Sequence, residues 1–318
     1  KNDERFSALS VRDFRTGAYT DEFAIYFTRE ADAIRSFRDR TRALMDTLVT
    51  ARLVERKDGV PHGFAPGEAA TRLYGINKWA NENDIDIALH IHFNDYPRRR
   101  RNSPGEYSGF SIYVPEVQYP NAATSAEVAR SVFEELKTSL PQSDLPKERG
   151  GILEDQELIA VGSNASREGA SLLIEYGYLY ESKFMDPTTR KVFITELAFL
   201  TYRGLKNYFE DETGDGILDR RTTLLPYSWN TPLQVGMRGD PHVLALQAAL
   251  RAEDLYPPPG KSMNECPLNG NFGPCVERSV ILFQEKYRDE VLFPASLTRG
   301  TGTVGPATLK KLNELYGT

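Results

Sequence analysis

The sequence predicts an α/β fold, with a mainly parallel or mixed sheet flanked by helices, followed by a small C-terminal unit of three helices. Three observations predict it. Strand-like apolar runs alternate with helical periodicities from residue 6 to residue 209. Two of the runs close on polar residues that carry chemistry, as strands do at the site of an open α/β sheet. Beyond the polar stretch Asp211-Glu212-Thr213-Gly214-Asp215-Gly216, the chain turns to short helices joined by tight turns.

The elements follow in order. Phe6 to Val11 reads as a short strand, with a turn at Thr16-Gly17. Ile34, Phe37, Thr41, Leu44 and Leu48 recur at spacings of three and four, which predicts a long helix from Thr28 to Arg56. Asp58-Gly59 and Pro61 end it. A second helix is predicted from Glu68 to Asn81, with Ala70, Leu73, Ile76 and Ala80 on its inner face. Ile85 to Asp95 reads as a buried strand closing on His90, His92, Asn94 and Asp95. Phe110 to Val114 is the next strand, Asn121 to Leu140 a helix, Ser171 to Tyr176 a central strand and Thr188 to Phe209 a last long helix. The expected division is a domain over 1–210, a linker over 211–230 and a helical domain over 231–318. Asp211 to Gly216 resembles a calcium loop only faintly, since the rest of that pattern is absent.

Composition narrows the function. A net charge of −6 excludes the basic profile of a general nucleic-acid binder. No run of 18 apolar residues exists to form a membrane span. No Gly-rich phosphate loop follows a strand, which argues against a nucleotide-binding protein. The chain opens at Lys1 and not at methionine, so we expect a processed chain from which a targeting segment has been removed. Cys266 and Cys275 bracket a loop-like stretch, and a disulfide closing it fits an exported protein. A zinc pair there lacks a completing cysteine or histidine.

Two strand ends carry the candidate chemistry. His90 and His92, at i and i+2, point to one face of their strand. A strand histidine is commonly a hydrogen-bonded core residue. Its place at the strand's end, beside Asn94, makes His92 the candidate metal ligand. Glu175 ends the apolar run Ser171-Leu172-Leu173-Ile174. Burying it costs free energy without a partner, which is either an arginine at the sheet edge or a polarised water at a metal. Glu175 is therefore the candidate general base. Arg98 to Arg101 form either a solvated loop or an anion-binding rim for carboxylate-bearing ligands. His62 is a loop histidine, and His242 reads as part of a helix start.

The quoted residues carry a resemblance. His90-Ile91-His92-Phe93-Asn94 resembles the strand-end motif of zinc-dependent N-acetylmuramoyl-L-alanine amidases, in which a serine, an apolar residue, the zinc histidine, a small residue and an asparagine follow in order. The zinc histidine falls on His92, and His90 replaces the serine. Ile174-Glu175-Tyr176-Gly177-Tyr178-Leu179 is similar to the family's second signature, whose catalytic glutamate falls on Glu175. The Phe6 to Val11 strand with Arg12-Asp13 is similar to the family's second strand. Gly239-Asp240, Leu246-Gln247-Ala248-Ala249-Leu250, Gly270-Asn271-Phe272-Gly273, Phe283-Gln284 and Val304-Gly305-Pro306-Ala307-Thr308 are similar, in order and spacing, to a three-helix peptidoglycan-binding module.

The resemblance implies zinc-dependent hydrolysis of the lactyl–L-alanine amide of peptidoglycan at the cell envelope or outside the cell. His92 would hold the metal, Glu175 would act as base, and Asn94 and Arg98 would bind substrate. The alternative is a wall-binding protein without catalysis. Two departures stand out. The family's opening Gly-His-Gly type motif and the glutamate ligand after it are absent, which leaves only His62 and His90 as local substitutes. The helix from Thr28 to Arg56 is an insertion placed to cover or gate the cleft.

Overall fold

The computed structural model describes residues 25–53, 67–83, 85–95, 105–117, 119–155, 158–161, 169–210 and 222–317. The predicted strand at Phe6 to Val11, the Arg98 to Arg101 loop, His62 and the acidic stretch 211–216 lie outside them. The described residues form two compact units. One gathers those within 1–90, 114–125 and 154–172, and the other those within 91–113, 126–153 and 173–318.

In the first unit, helix α1 (Ala31–Thr50) packs beside α2 (Gly67–Glu82). Their shared cluster buries Tyr26, Ile34, Ala70, Tyr74 and Ile159, with Phe27, Phe37, Leu73 and Trp79 around it. Asn77 on α2 donates to the Ile159 carbonyl at 2.6 Å, which satisfies a buried amide. The predicted apolar stripe of α1 is only half used. Ile34 and Thr41 are buried, while Leu44 is 41% exposed.

Four strands make one sheet in the order β1-β4-β2-β3: β1 (Ile87–Asn94), β2 (Ser111–Val114), β3 (Ile152–Glu154) and β4 (Ala170–Tyr178). The Ala170 N–H donates to the Asp86 carbonyl and the Leu179 N–H to the Asn94 carbonyl, so the partners advance in the same direction along both strands and β1 and β4 are parallel. β2 pairs with β4 antiparallel, with Ser111 opposite Glu175 and Tyr113 opposite Leu173. The sheet is therefore mixed. β4 is central, and Glu175 alone of its residues is not fully buried. β1 departs from the expected buried strand. Among the described strands it lies at the edge of the sheet, none of its residues is buried, and Ile91 is 66% exposed.

In the second unit, α3 (Ala122–Leu136), from Ala126 onward, and α5 (Pro187–Glu210) lie against each other. Ser131 donates to the Gly204 carbonyl at 2.7 Å, and Arg203 pairs with Glu135 at 3.1 Å. Val128, Val132, Leu136, Phe193, Leu197 and Leu200 are buried, each worth roughly 1.5–3 kcal/mol when fully removed from water. The one-turn helix α4 (Ser182–Met185) links β4 to α5.

The C-terminal helices are α6 (Pro241–Ala252), α7 (Pro274–Lys286), the single turn α8 (Arg288–Val291) and α9 (Pro306–Tyr316). α6, α7 and α9 each start on a proline, where the missing N–H costs nothing. Asp240 caps α6 by accepting from the His242 and Val243 N–H groups, so His242 does stand at a helix start. Two turns share one build. Gly270-Asn271-Phe272-Gly273-Pro274 and Gly302-Thr303-Val304-Gly305-Pro306 each bury their central apolar residue. Each is held by a buried glutamine from a helix. Gln247 accepts from Asn269 and Gly270 N–H, and Gln284 from Thr301 and Gly302 N–H. Cys266 and Cys275 form the expected disulfide. Among the described residues no helix is long and apolar enough to cross a membrane.

Candidate active site

Register brings His92 and Glu175 together. On β1, alternation sends Phe93 to one face of the sheet, where its ring meets Tyr176 of β4 at 6.0 Å and Phe184 at 5.0 Å. His92 and Glu175, one position away on each strand, take the other face. His92 Nδ1 stands 3.9 Å from Glu175 Oε1. That gap is beyond a hydrogen bond.

The two groups differ in environment. His92 is half exposed, and desolvation lowers its pKa, which favours the neutral imidazole with a free lone pair. The Glu175 side chain is 17% exposed. Burial, followed by the negative charge of Glu148, pushes its carboxyl up to about 7, against the opposing pull of Lys147. Its Oε2 is buried and has no hydrogen-bond partner. Among the described residues no arginine pairs with this glutamate, the partner offered as one explanation of it. Asn94 ends β1 beside the pair, its carbonyl accepting from Leu179 N–H at 3.0 Å. Arg98 lies outside the described residues.

Three carboxylates and a lysine behind this face were not legible in the sequence. Glu148 is 1% exposed and accepts from Tyr113 Oη at 2.7 Å, Ser143 Oγ at 2.6 Å and Tyr178 Oη at 3.4 Å. Tyr113 stands opposite Leu173 and so shares the face of Glu175. Gly177, at φ +147°, breaks the alternation and lets the Tyr178 ring reach the same carboxylate. Glu181 accepts from Tyr178 N–H at 2.7 Å and Gly109 N–H at 3.3 Å, and it pairs with the fully buried Lys183 at 2.9 Å. Asp144 accepts from Ser108 N–H at 2.7 Å. Pro146-Lys147-Glu148-Arg149 has the composition of a solvated loop, so no sequence signal marked Glu148.

The donor chemistry fits zinc at one position. A neutral imidazole is a zinc ligand, and a buried carboxylate with an unused oxygen suits proton transfer beside it. Among the described residues, no three or more histidine, cysteine, aspartate or glutamate side chains converge as a metal site. The described residues bring one imidazole and one carboxyl group together, and not a complete ligand set.

Comparison with known proteins bears on the family. The family model described as N-acetylmuramoyl-L-alanine amidase matches residues 17–207, more than half of the chain. No curated protein matches it. Among solved structures, the N-acetylmuramyl-L-alanine amidase Ami1 from Mycobacterium smegmatis is 18% identical, with 56% of this chain and 77% of that chain covered and a TM-score of 0.35. The CwlD amidase from Clostridioides difficile, solved in complex with the GerS lipoprotein, is 15% identical over 50% of this chain and 73% of that one, with a TM-score of 0.33. The N-acetylmuramoyl-L-alanine amidase from Clostridium difficile 630 is 21% identical over 45% and 67%, with a TM-score of 0.30. On the family match, with β1 and β4 inside it, this chain belongs to the N-acetylmuramoyl-L-alanine amidase family of peptidoglycan amidases.

Proposed function

We propose that the chain hydrolyses the amide between the muramic acid lactyl group and L-alanine, with zinc held on His92 and Glu175 as the general base. The observation that supports this best is the pairing across β1 and β4: His92 Nδ1 lies 3.9 Å from Glu175 Oε1, and Glu175 keeps a buried oxygen without a partner. Zinc bound there would supply Lewis-acid polarisation of the attacking water and the amide carbonyl. His92 would offer it a neutral imidazole, and the described residues do not complete the ligand set. Glu175 takes the proton from the attacking water and delivers it to the departing L-alanine amine. Asn94 orients His92 or the substrate at the strand end, and Arg98 binds a stem-peptide carboxylate.

In this reading residues 1–210 form the amidase domain, 211–230 the linker and 231–318 a peptidoglycan-binding domain of an exported protein. Tethering to a polymer raises the local concentration of scissile bonds.

The test is digestion of defined muropeptides with elemental analysis of the same protein. Near-stoichiometric zinc, with free L-alanine amino termini and intact glycan as products, supports the proposal. Products cut at a glycosidic or peptide–peptide bond refute it. The lack of three convergent donors among the described residues favours a second reading, wall binding without catalysis. Metal-free protein that binds sacculi and cleaves nothing would establish that reading instead.

A further inference from the structure

We propose that the C-terminal helices are a positioning element for the catalytic face, acting through the loop 137–148 by way of Arg251 and Asn264. The inference rests on the reading of Glu175 as the base.

The loop leaves α3 and is held from two sides. From the C-terminal helices, Arg251 Nη1 on α6 donates to Ser139 Oγ at 2.6 Å. The Gln142 N–H donates to Asn264 Oδ1 at 3.0 Å. Asn264 lies two residues before Cys266, and the bridge to Cys275 ties its segment to the first turn of α7. From the sheet, Phe110 N–H donates to the Pro141 carbonyl at 3.0 Å, and Ser143 N–H to the Phe110 carbonyl at 2.8 Å. Ser108 N–H closes on Asp144 Oδ1.

Between these holds, the loop delivers Ser143 and Glu148 to the site. Glu148 gathers Tyr113 of β2 and Tyr178 of β4, the two strands that pair at Ser111 and Glu175. A run of contacts therefore reaches from α6 to the strands that set the Glu175 carboxylate. Every non-covalent step in it is a hydrogen bond of 3.4 Å or less.

The helices are also fixed to α5. Glu196, 1% exposed, accepts from Thr222 Oγ1, Thr223 N–H and Thr223 Oγ1, each at 2.7 Å. Thr189 on α5 donates to the Gly239 carbonyl just ahead of α6. Buried, fully satisfied polar contacts of this kind rigidify what they join. The C-terminal helices thus bear on turnover itself, including turnover of substrates too small to reach them.

The experiment uses the full chain with Arg251→Ala, Asn264→Ala and Asn264→Asp, assayed on a soluble monomeric muropeptide. The alanine variants should lower kcat about tenfold with KM within about twofold, since small misplacements of a reacting group are costly. Asn264→Asp keeps the acceptor for Gln142 N–H and should restore kcat. Amide exchange should rise at 139–148 and 176–180 in the alanine variants, and binding to sacculi should not change. An unchanged kcat in both alanine variants overturns the proposal, as does a fall that Asn264→Asp fails to rescue. Exchange is read without activity. Faster exchange in a protein whose wild type cleaves no lactyl amide would uphold the coupling and overturn Glu175 as base.

Discussion

Glu175 and Glu253 are both partly withdrawn from water, and they are treated in opposite ways. Glu253 follows α6 and accepts from Lys286 Nζ at 2.6 Å, Tyr287 Oη at 2.7 Å and Tyr316 Oη at 2.6 Å, so one carboxylate gathers the ends of three helices. Among the described residues Glu175 Oε2 has no hydrogen-bond partner, and a second carboxylate pushes against the group. Glu253 is saturated by its three donors, whereas β4 keeps a Glu175 oxygen without a hydrogen bond among the described residues. A buried acceptor left unmade costs about 1–3 kcal/mol, a cost that the proposed role of Glu175 as base would account for.

The largest expected effect breaks or keeps that contrast directly. Glu175→Gln removes the base at nearly constant volume, and kcat on a muropeptide should fall about 10²–10⁴-fold. Its thermal midpoint should hold or rise, because no favourable contact is lost and a buried charge is relieved. A variant that keeps its activity but melts early would make Glu175 a structural residue like Glu253.

Gln247 supplies the opposite case. Its carbonyl accepts from Asn269 and Gly270 N–H at 3.1 and 2.9 Å, and its amide donates to Tyr256 Oη at 3.0 Å and the Pro267 carbonyl at 3.2 Å. Gln247→Ala strands two backbone donors and opens a cavity, which should cost about 2–4 kcal/mol in denaturant unfolding. Effects confined to stability would mark the C-terminal network as structural. A parallel collapse of kcat in the folded variant would mean that the coupling through loop 137–148 is tighter than Arg251 and Asn264 alone convey.

What the sequence disclosed follows from these same differences. The β4 run announced itself because a carboxylate at the end of an apolar strand is rare, and His92 because two histidines alternated on a strand. The helices over 67–82 and 187–210 were legible from period alone. β1 misled because apolar composition marks a strand but does not say whether it lies at an edge. Glu148 and Lys183 stayed hidden for another reason. Glu148 is buried by the distant Tyr113 and Tyr178, and Lys183 pairs with Glu181 and lies over the ring of Phe193, whereas charged residues look solvated from the chain alone. The twin turns at 270–274 and 302–306 were visible as motifs, but the glutamine clasp that makes them equivalent needed the fold.

Removing the Cys266–Cys275 bridge should act on the C-terminal side of the comparison. It closes a short loop, and the chain-entropy account gives about 2.5 kcal/mol for a loop of that length. Cys266→Ser with Cys275→Ser should lower the thermal midpoint accordingly, whereas equal midpoints would show that the helix packing already fixes this segment.

The smallest effect concerns acid and separates the two glutamates by sign. Burial alone would raise the Glu253 carboxyl, but hydrogen bonds from Lys286, Tyr316 and Tyr287 outweigh it and hold the group below its usual value. The unfolded chain then binds the proton first. Stability from Glu253 is complete above the ordinary glutamate range of about 4.3 and is lost as pH falls through the depressed folded value. The thermal midpoint of the wild type should drop more steeply below about pH 5 than that of Glu253→Gln, which has no such proton to gain. Identical acid limbs would mean that the three donors hold glutamine as well as glutamate, so that what joins the three helix ends is hydrogen-bond geometry and not charge.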